Sequence, residues 1–530
     1  MIRLDLTDLQ GNIHRPYGRF NFPLSRHLFF RLDDPLCGRR FVQGLRGWVS
    51  SAEPWIEPPP VALNLGFTYA GLRALDLPTR TLRLLPDEFI DGMHCRSEIL
   101  GDVGESGPEH WDPVWREAQA AHIWVGLFGG CDGVGAPLPA LGKRTDEIIA
   151  LARSCGVTLL EGHGADGRQQ WQDCQSLMAT RADGSQAPCA REHFGYTDAI
   201  ADPVFRGQFE PEDEALAVIG GGKIGEGDYN EATSWSPLET GEFILGYVDE
   251  GQEFPIVTQP FEFTRNGSFM VWRKLHQDVA AFDAYIAGQA ELYMRVTGVT
   301  DRTEAEETLR AKMIGRWPSG VPLLAAPTWA EHQALMAEWG DCIELTLREP
   351  RDSAEQQRLA AFAKLLNAFR YGDDLDGAKC PFGAHIRRAN PRDMLDPLLS
   401  ATQGSTALTN RRRLLRRGMA YRDPNGDCGL VFMAICASLF RQFEFVQQQW
   451  MNYGLDLEAG NDTCPVVGLR TAEHHKVQSD KFVIPSASPD EAPFIAANLP
   501  QFVSTRGGDY FFLPSLSAIR MIAMGTVDPT

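Results

Sequence analysis

Four stretches of the chain hold side chains able to do chemistry. Cys380-Pro-Phe-Gly-Ala-His-Ile-Arg-Arg388 sets a lone histidine, His385, behind small residues. On the residues alone, His385 reads either as a metal or haem ligand or as a histidine satisfied within the core. Gly195-Tyr-Thr-Asp-Ala-Ile-Ala-Asp-Pro203 holds Asp198 in a loop bounded by glycine and proline. Such an aspartate either caps its own backbone in a turn or acts as a catalytic carboxylate. Arg411-Arg-Arg-Leu-Leu-Arg-Arg-Gly418 concentrates guanidinium groups, Arg416 among them, in a chain whose formal net charge is -20. The run suits a carboxylate, phosphate or propionate site, or a solvated face. Phe440-Arg-Gln-Phe-Glu-Phe-Val-Gln447 places Glu444 among aromatics. Buried, that carboxylate needs a partner; at the rim it pairs with Arg441. These residues give candidates and no reaction.

The elements that position them are legible in part. His27-Leu-Phe-Phe-Arg-Leu32, His122-Ile-Trp-Val-Gly-Leu-Phe128 and Phe269-Met-Val-Trp-Arg-Lys-Leu275 read as strands. Gly429-Leu-Val-Phe-Met-Ala-Ile-Cys436 is apolar on both faces and suits a central strand. Residues 146–155 read as a helix stopped by Gly156. Residues 438–452 read as another, with Leu439, Phe443, Val446 and Trp450 at helical spacing. Strand–helix units in both halves predict an α+β fold. Residues 184–227 and 315–328 are loop-rich, and residues 328–369 form a charged helical elaboration.

The 530 residues suffice for a large core, and 43% hydrophobic with 23% charged residues is ordinary globular composition. A pI near 5.1 argues against nucleic acid and anionic lipid as partners. The apolar run 429–440 is too short to span a bilayer. The N-terminus lacks an apolar secretory segment, and the eleven cysteines include no C-x-x-C pair. A cytoplasmic protein with reduced thiols and no zinc site is expected.

Along nearly the whole chain these segments resemble the dye-decolorizing (DyP-type) haem peroxidases, specifically their longer members without a signal segment. The resemblance runs through Asp8-Leu-Gln-Gly-Asn-Ile13, Phe67-Thr-Tyr-Ala-Gly-Leu72 and Leu100-Gly-Asp-Val-Gly-Glu-Ser106. It continues through Gly241-Glu-Phe-Ile-Leu-Gly-Tyr247, Asn266-Gly-Ser-Phe-Met-Val-Trp-Arg-Lys274 and Gly315-Arg-Trp-Pro-Ser-Gly320. Residues 380–392 and 441–452 follow, and Gly508-Asp-Tyr-Phe-Phe-Leu-Pro-Ser515 closes it.

What the resemblance implies is specific. The fold would be two ferredoxin-like halves, residues 1–235 and 236–530, each an antiparallel sheet with helices, enclosing haem b. The second half would include the elaboration at 328–369. His385 would be the axial ligand of the haem iron, and Asp198 and Arg416 the distal catalytic pair. Arg416 would also line the haem pocket. Glu444 would accept the other N–H of His385 and make the imidazole a stronger donor. The partners would be hydrogen peroxide and small aromatic electron donors such as phenols and dyes. A haem carrier, sensor or specialised biosynthetic oxidase with incidental peroxidase activity is the alternative. Two departures stand out: the last glycine of the family's G-x-x-D-G motif is Ala199, and Tyr421 is followed by Arg422 where the family carries glycine.

Overall fold

The computed structural model describes residues 3–17, 22–225, 234–397, 404–470, 480–486, 488 and 490–525. Eight strands carry the main sheet: β1 (Leu24–Arg31), β2 (Val61–Phe67), β3 (Ile123–Gly129), β4 (Gln172–Gln175), β5 (Ser268–Gln277), β6 (Met419–Arg422), β7 (Cys428–Cys436) and β8 (Val503–Leu513). The two-residue strands Thr158–Leu159 and Leu415–Arg416 bring it to ten. The apolar runs singled out in the sequence are β1, β3, β5 and β7, and β7 is paired on both sides, as its two apolar faces predict.

The path through the sheet is β6–β7–β5–β8–β2–β3–β1–β4, antiparallel throughout. Strands from residues 24–175 form one run and strands from 268–513 the other. They join where β8 meets β2, through the single pair Phe512–Phe67. The two ends of the path, β4 and β6, lie against each other. There Gln172 Nε2 donates to Asp423 Oδ1 at 3.0 Å, so the sheet curls back on itself.

Alternation along a strand puts His27 and Phe29 of β1 and Trp272 and Lys274 of β5 on the inner face. Phe29 and Trp272 ring centroids are 5.0 Å apart, and Trp124 Nε1 donates to His27 Nδ1. Buried Lys274 donates to Asp112 at 2.8 Å and to Asp423 at 2.6 Å. The charged end of an inward-facing lysine is thereby satisfied.

Helices α1 (Pro35–Arg46) and α2 (Pro139–Cys155) pack against each other, and α2 covers β3. Gly156 ends α2 at φ 73° as its sequence predicts, but the helix begins seven residues earlier than residue 146, at a proline suited to the first turn. Helices α3 (Val279–Thr297), α4 (Arg302–Ile314), α5 (Trp329–Trp339) and α6 (Ser353–Asn367) build a second core around Phe282, Trp317, Phe362 and Tyr371. Segment 328–369 is thus helical, opening at a capping box between Thr328 and Glu331.

The helix expected over 438–452 is π-helical instead, in two pieces, Leu439–Glu444 and Val446–Met451. Three consecutive side chains are drawn inward there. Gln442 bonds Glu242 O and Arg413 O, Phe443 enters the main core, and Glu444 meets Arg96 and Tyr510. The wider π-helical turn narrows the fan of successive side chains, and all three are buried. No helix among the described residues is long and apolar enough to cross a membrane.

Candidate active site

Asp198 and Arg416 are 218 residues apart and meet directly, Arg416 Nη1 donating to Asp198 Oδ1 at 2.8 Å. Local structure explains both placements. Buried Leu415 and then Arg416 pair with Ile435 and Ala434 of β7, which anchors the backbone beneath the guanidinium. The Asp198 loop is tied down on two sides. Thr197 gives its N–H and its hydroxyl to Pro318 O, and Asp202 accepts the N–H of Arg416 and Nη1 of Arg417. Gly320, at φ 93°, lets the backbone of the neighbouring loop approach: a Cβ there would come within 2.8 Å of Ile200 Cδ1.

Ala199 occupies left-handed backbone, φ 59°, where the family motif has glycine. Its methyl group does not turn the carboxylate away. The Ala199 N–H donates to Asp198 Oδ1 at 2.6 Å, so that oxygen is held by two donors. Asp198 Oδ2 has no protein partner among the described residues. Each side chain is about two-fifths exposed, Arg416 at 38% and Asp198 at 40%, so the pair faces open space.

His385 opens the short helix α7 (His385–Ala389). The helix is pinned by two buried arginines. Arg387 donates to Asp374 and Cys380 O, and Arg388 to the carbonyls of Gly383, Trp450, Tyr453 and Asp462. His385 lies deep in the protein, yet its surface is only partly covered. Burial alone would push its pKa down, but the Cys464 sulfur beside it raises it above the ordinary histidine value. The charges of Arg416 and Asp198 both reach His385 as well, so the ion pair and the imidazole lie within electrostatic range of one another.

The expectation for Glu444 is corrected. Its carboxylate is buried, but Oε1 and Oε2 accept from Arg96 Nε and Nη2 at 2.7 Å each, and Tyr510 OH donates to Oε1 at 2.8 Å. The π-helical turn aims it at that pair, with no bond to His385. The atom next to His385 Nδ1 is Cys464 Sγ, at 3.3 Å. Nothing in the sequence marks Cys464: it stands alone, 79 residues from its partner.

The arginine run is neither one site nor a solvated face. Arg411 pairs with Asp249, Arg412 stacks on Phe445, Arg413 is buried, and Arg417 pairs with Asp202. Buried Arg413 has company that the sequence did not suggest. Arg316, Arg392 and Arg413 are all buried and donate only to backbone carbonyls among the described residues. Burial holds their pKa values down, aided by neighbouring arginine charge for Arg316 and Arg413, which fall to about 9, and unaided for Arg392, which falls to about 10. Beside Arg316 and Arg392, the buried Tyr371 hydroxyl has no hydrogen-bond partner among the described residues.

Buried guanidiniums bonded only to carbonyls, beside an orphaned hydroxyl, suit an anion. A haem, with a metal for an imidazole and two carboxylates for guanidiniums, fits this donor set. His385 would hold its iron; Arg316, Arg392, Arg413 and Tyr371 would supply the field and the polar contact for its acid groups.

No protein-family model matches the chain. Individual relatives do. Peroxidase 2 of Mycetinis scorodonius is 25% identical over 98% of this chain and 88% of its own length. The multifunctional dye peroxidase DyP2 of an Amycolatopsis species is 26% identical over 98% and 96%. Among solved structures, a fungal DyP-type peroxidase from Auricularia auricula-judae superposes with a TM-score of 0.70 at 23% identity, covering 99% of this chain and all of that one. A dye-decolorizing peroxidase in complex with 2,6-dimethoxyphenol gives 0.68 at 23% identity, covering 98% of this chain and all of that one. In α+β fold, and in sequence along nearly its whole length, the chain is similar to the dye-decolorizing peroxidases.

Proposed function

We propose that this protein is a haem b peroxidase that reduces hydrogen peroxide and oxidises phenols, dyes or similar aromatic donors. The observation that carries the reading is the Asp198–Arg416 ion pair within electrostatic reach of His385. Bound haem would supply a centre able to give two electrons to peroxide and regain them one at a time from the aromatic donor.

The chain's own residues have separate tasks. His385 would hold the iron through its imidazole. Asp198 offers Oδ2 as the base that takes a proton from the near peroxide oxygen, because Oδ1 is already held by Arg416 and the Ala199 N–H. The same carboxyl returns that proton to the far oxygen, which leaves as water. Arg416 stabilises the negative charge that builds on the far oxygen, using N–H groups beyond those given to Asp198 and to Ile200 O. We read residues 1–235 and 236–530 as the two halves that enclose the site. Eleven free thiols support a reducing, cytoplasmic setting.

The test is an absorption spectrum of protein purified with a haem supply, followed by steady-state turnover with peroxide and a phenol. Wild type should carry histidine-ligated haem and turn over, and His385→Ala should lose both. Full haem loading of His385→Ala with an unchanged spectrum would refute the assignment.

A further inference from the structure

We propose that Cys464 is the positioning residue of His385: its sulfur takes the ring's Nδ1–H, turns Nε2 toward the iron, and sets how strongly the imidazole donates. The inference rests on the haem reading for the iron, and on geometry for the pair.

The contact is short for sulfur, 3.3 Å, and Cys464 is fully buried, so water does not compete for it. Both partners are fixed from behind. Cys464 gives its N–H to Met451 O at 2.7 Å, and its carbonyl accepts from Gly468 N–H at 3.0 Å and Arg470 Nη2 at 2.7 Å. The Val467 N–H also points at the sulfur, and the Arg388 charge faces it. Four backbone carbonyls hold Arg388, three residues along the helix that His385 opens. The ring therefore cannot choose another acceptor without moving helix α7. Glu444 is not available as one, because Arg96 and Tyr510 occupy its carboxylate.

A carboxylate acceptor pulls the Nδ1 proton and enriches the ring; a sulfur is a weaker acceptor of hydrogen bonds. The iron(III)/iron(II) potential should therefore follow residue 464. In haem-loaded protein, Cys464→Asp should lower the potential and Cys464→Ala should raise it, with Glu444→Gln close to wild type. A potential moved by Glu444→Gln and untouched by both Cys464 variants would overturn the proposal. Haem loss from Cys464→Ala that Cys464→Ser and Cys464→Asp restore supports it. Equal loss from all three, with a native circular dichroism spectrum, would make Cys464 mere packing.

A second arm needs no haem. With ¹⁵N-labelled histidine, the His385 ring resonances, identified by their absence in His385→Ala, should shift in Cys464→Ser and hold in Glu444→Gln. No shift in Cys464→Ser refutes the contact. If wild type takes up no haem, the proposed function fails, while this arm still decides the pair.

Discussion

Arg416→Leu should separate catalysis from stability. The Arg416–Asp198 pair is short, 2.8 Å, but both side chains are about two-fifths exposed. Solvent screening leaves such a pair worth about 0.2–1 kcal/mol, so the variant should lose less than about 1 kcal/mol of folding free energy. The same guanidinium, aimed at charge that exists only during the reaction, is worth about 2.7–4 kcal/mol, or about a hundred- to a thousandfold in rate. Two neighbours serve as controls. Arg412 reaches Arg441 O and stacks on Phe445, and Arg412→Leu should leave the peroxide rate alone. Buried Arg413 serves the carbonyls of Gly220, Gly221 and Gly222. Arg413→Leu leaves those carbonyls without their donor, at about 1–3 kcal/mol for each one left unsatisfied, and should appear as lost stability together with weaker haem retention, since Arg413 also faces the proposed acid groups. Stopped-flow haem absorbance on mixing with peroxide gives the rate, and urea unfolding gives the stability. Equal slowing by Arg416→Leu and Arg412→Leu, or an Arg416→Leu protein that fails to fold, would refute the reasoning.

Asp198→Asn keeps the Oδ1 contacts and removes the base; it should slow the peroxide reaction at every pH from moderate acid upward, and an unchanged stopped-flow rate would leave Arg416 alone at the distal side. Ala199→Gly relieves left-handed backbone worth about 1–2 kcal/mol but regains about 0.4–1 kcal/mol of unfolded-chain freedom. Its stability should rise by no more than about 1.6 kcal/mol in urea unfolding, with the peroxide rate unchanged because the bond to Asp198 comes from the backbone. Asp509 is buried with only two backbone N–H donors, from Met93 and Tyr510, and burial pushes its pKa up to about 6 from 3.8. The folded state holds that proton more tightly, so this contribution to stability is full below pH 3.8 and lost as pH rises through 6. Asp509→Asn should therefore stabilise by up to about 3 kcal/mol at pH 8 and by nothing at pH 3.5, as read by urea unfolding at each pH. Burial holds His27 and His163 neutral down to about 3. Their contribution is present above 6.5 and falls away as pH drops toward 3, by up to about 2.7 kcal/mol per pH unit at its steepest. Thermal unfolding from pH 7 to pH 4 should show that fall, and His27→Gln should flatten it.

Strands β1, β3, β5 and β7 were legible because each is a run of apolar residues bounded by polar or small ones. The stop of α2 was legible because only a left-handed residue such as Gly156 ends a helix that way. Its start was not, since the charged first turns after Pro139 carry no apolar stripe. The π-helical turn was hidden because Leu439, Phe443, Val446 and Trp450 fit a 3.6-residue period equally well. At the site, Asp198, Arg416 and His385 came from the resemblance, and composition alone left each ambiguous. Glu444 was misread because its partners, Arg96 and Tyr510, lie 348 and 66 residues away. Arg316, Arg392 and Arg413 have no local signature of burial, since their hydrogen bonds go to distant carbonyls.

The curled sheet also bears on how the chain can be divided. An open sheet leaves two edges able to pair with other molecules, and here those edges, β4 and β6, cover each other. Lys274 sits at that closure between Asp112 and Asp423, one partner from each run of strands. A fragment cut near residue 235 would bare two new edges at the β2–β8 seam as well as β4 or β6. It would also leave either Asp112 or the Lys274–Asp423 pair short of its buried partner. Each piece alone would thus be a template for aggregation. Mixed together while refolding, the two pieces would have complementary edges and complementary charge to find one another.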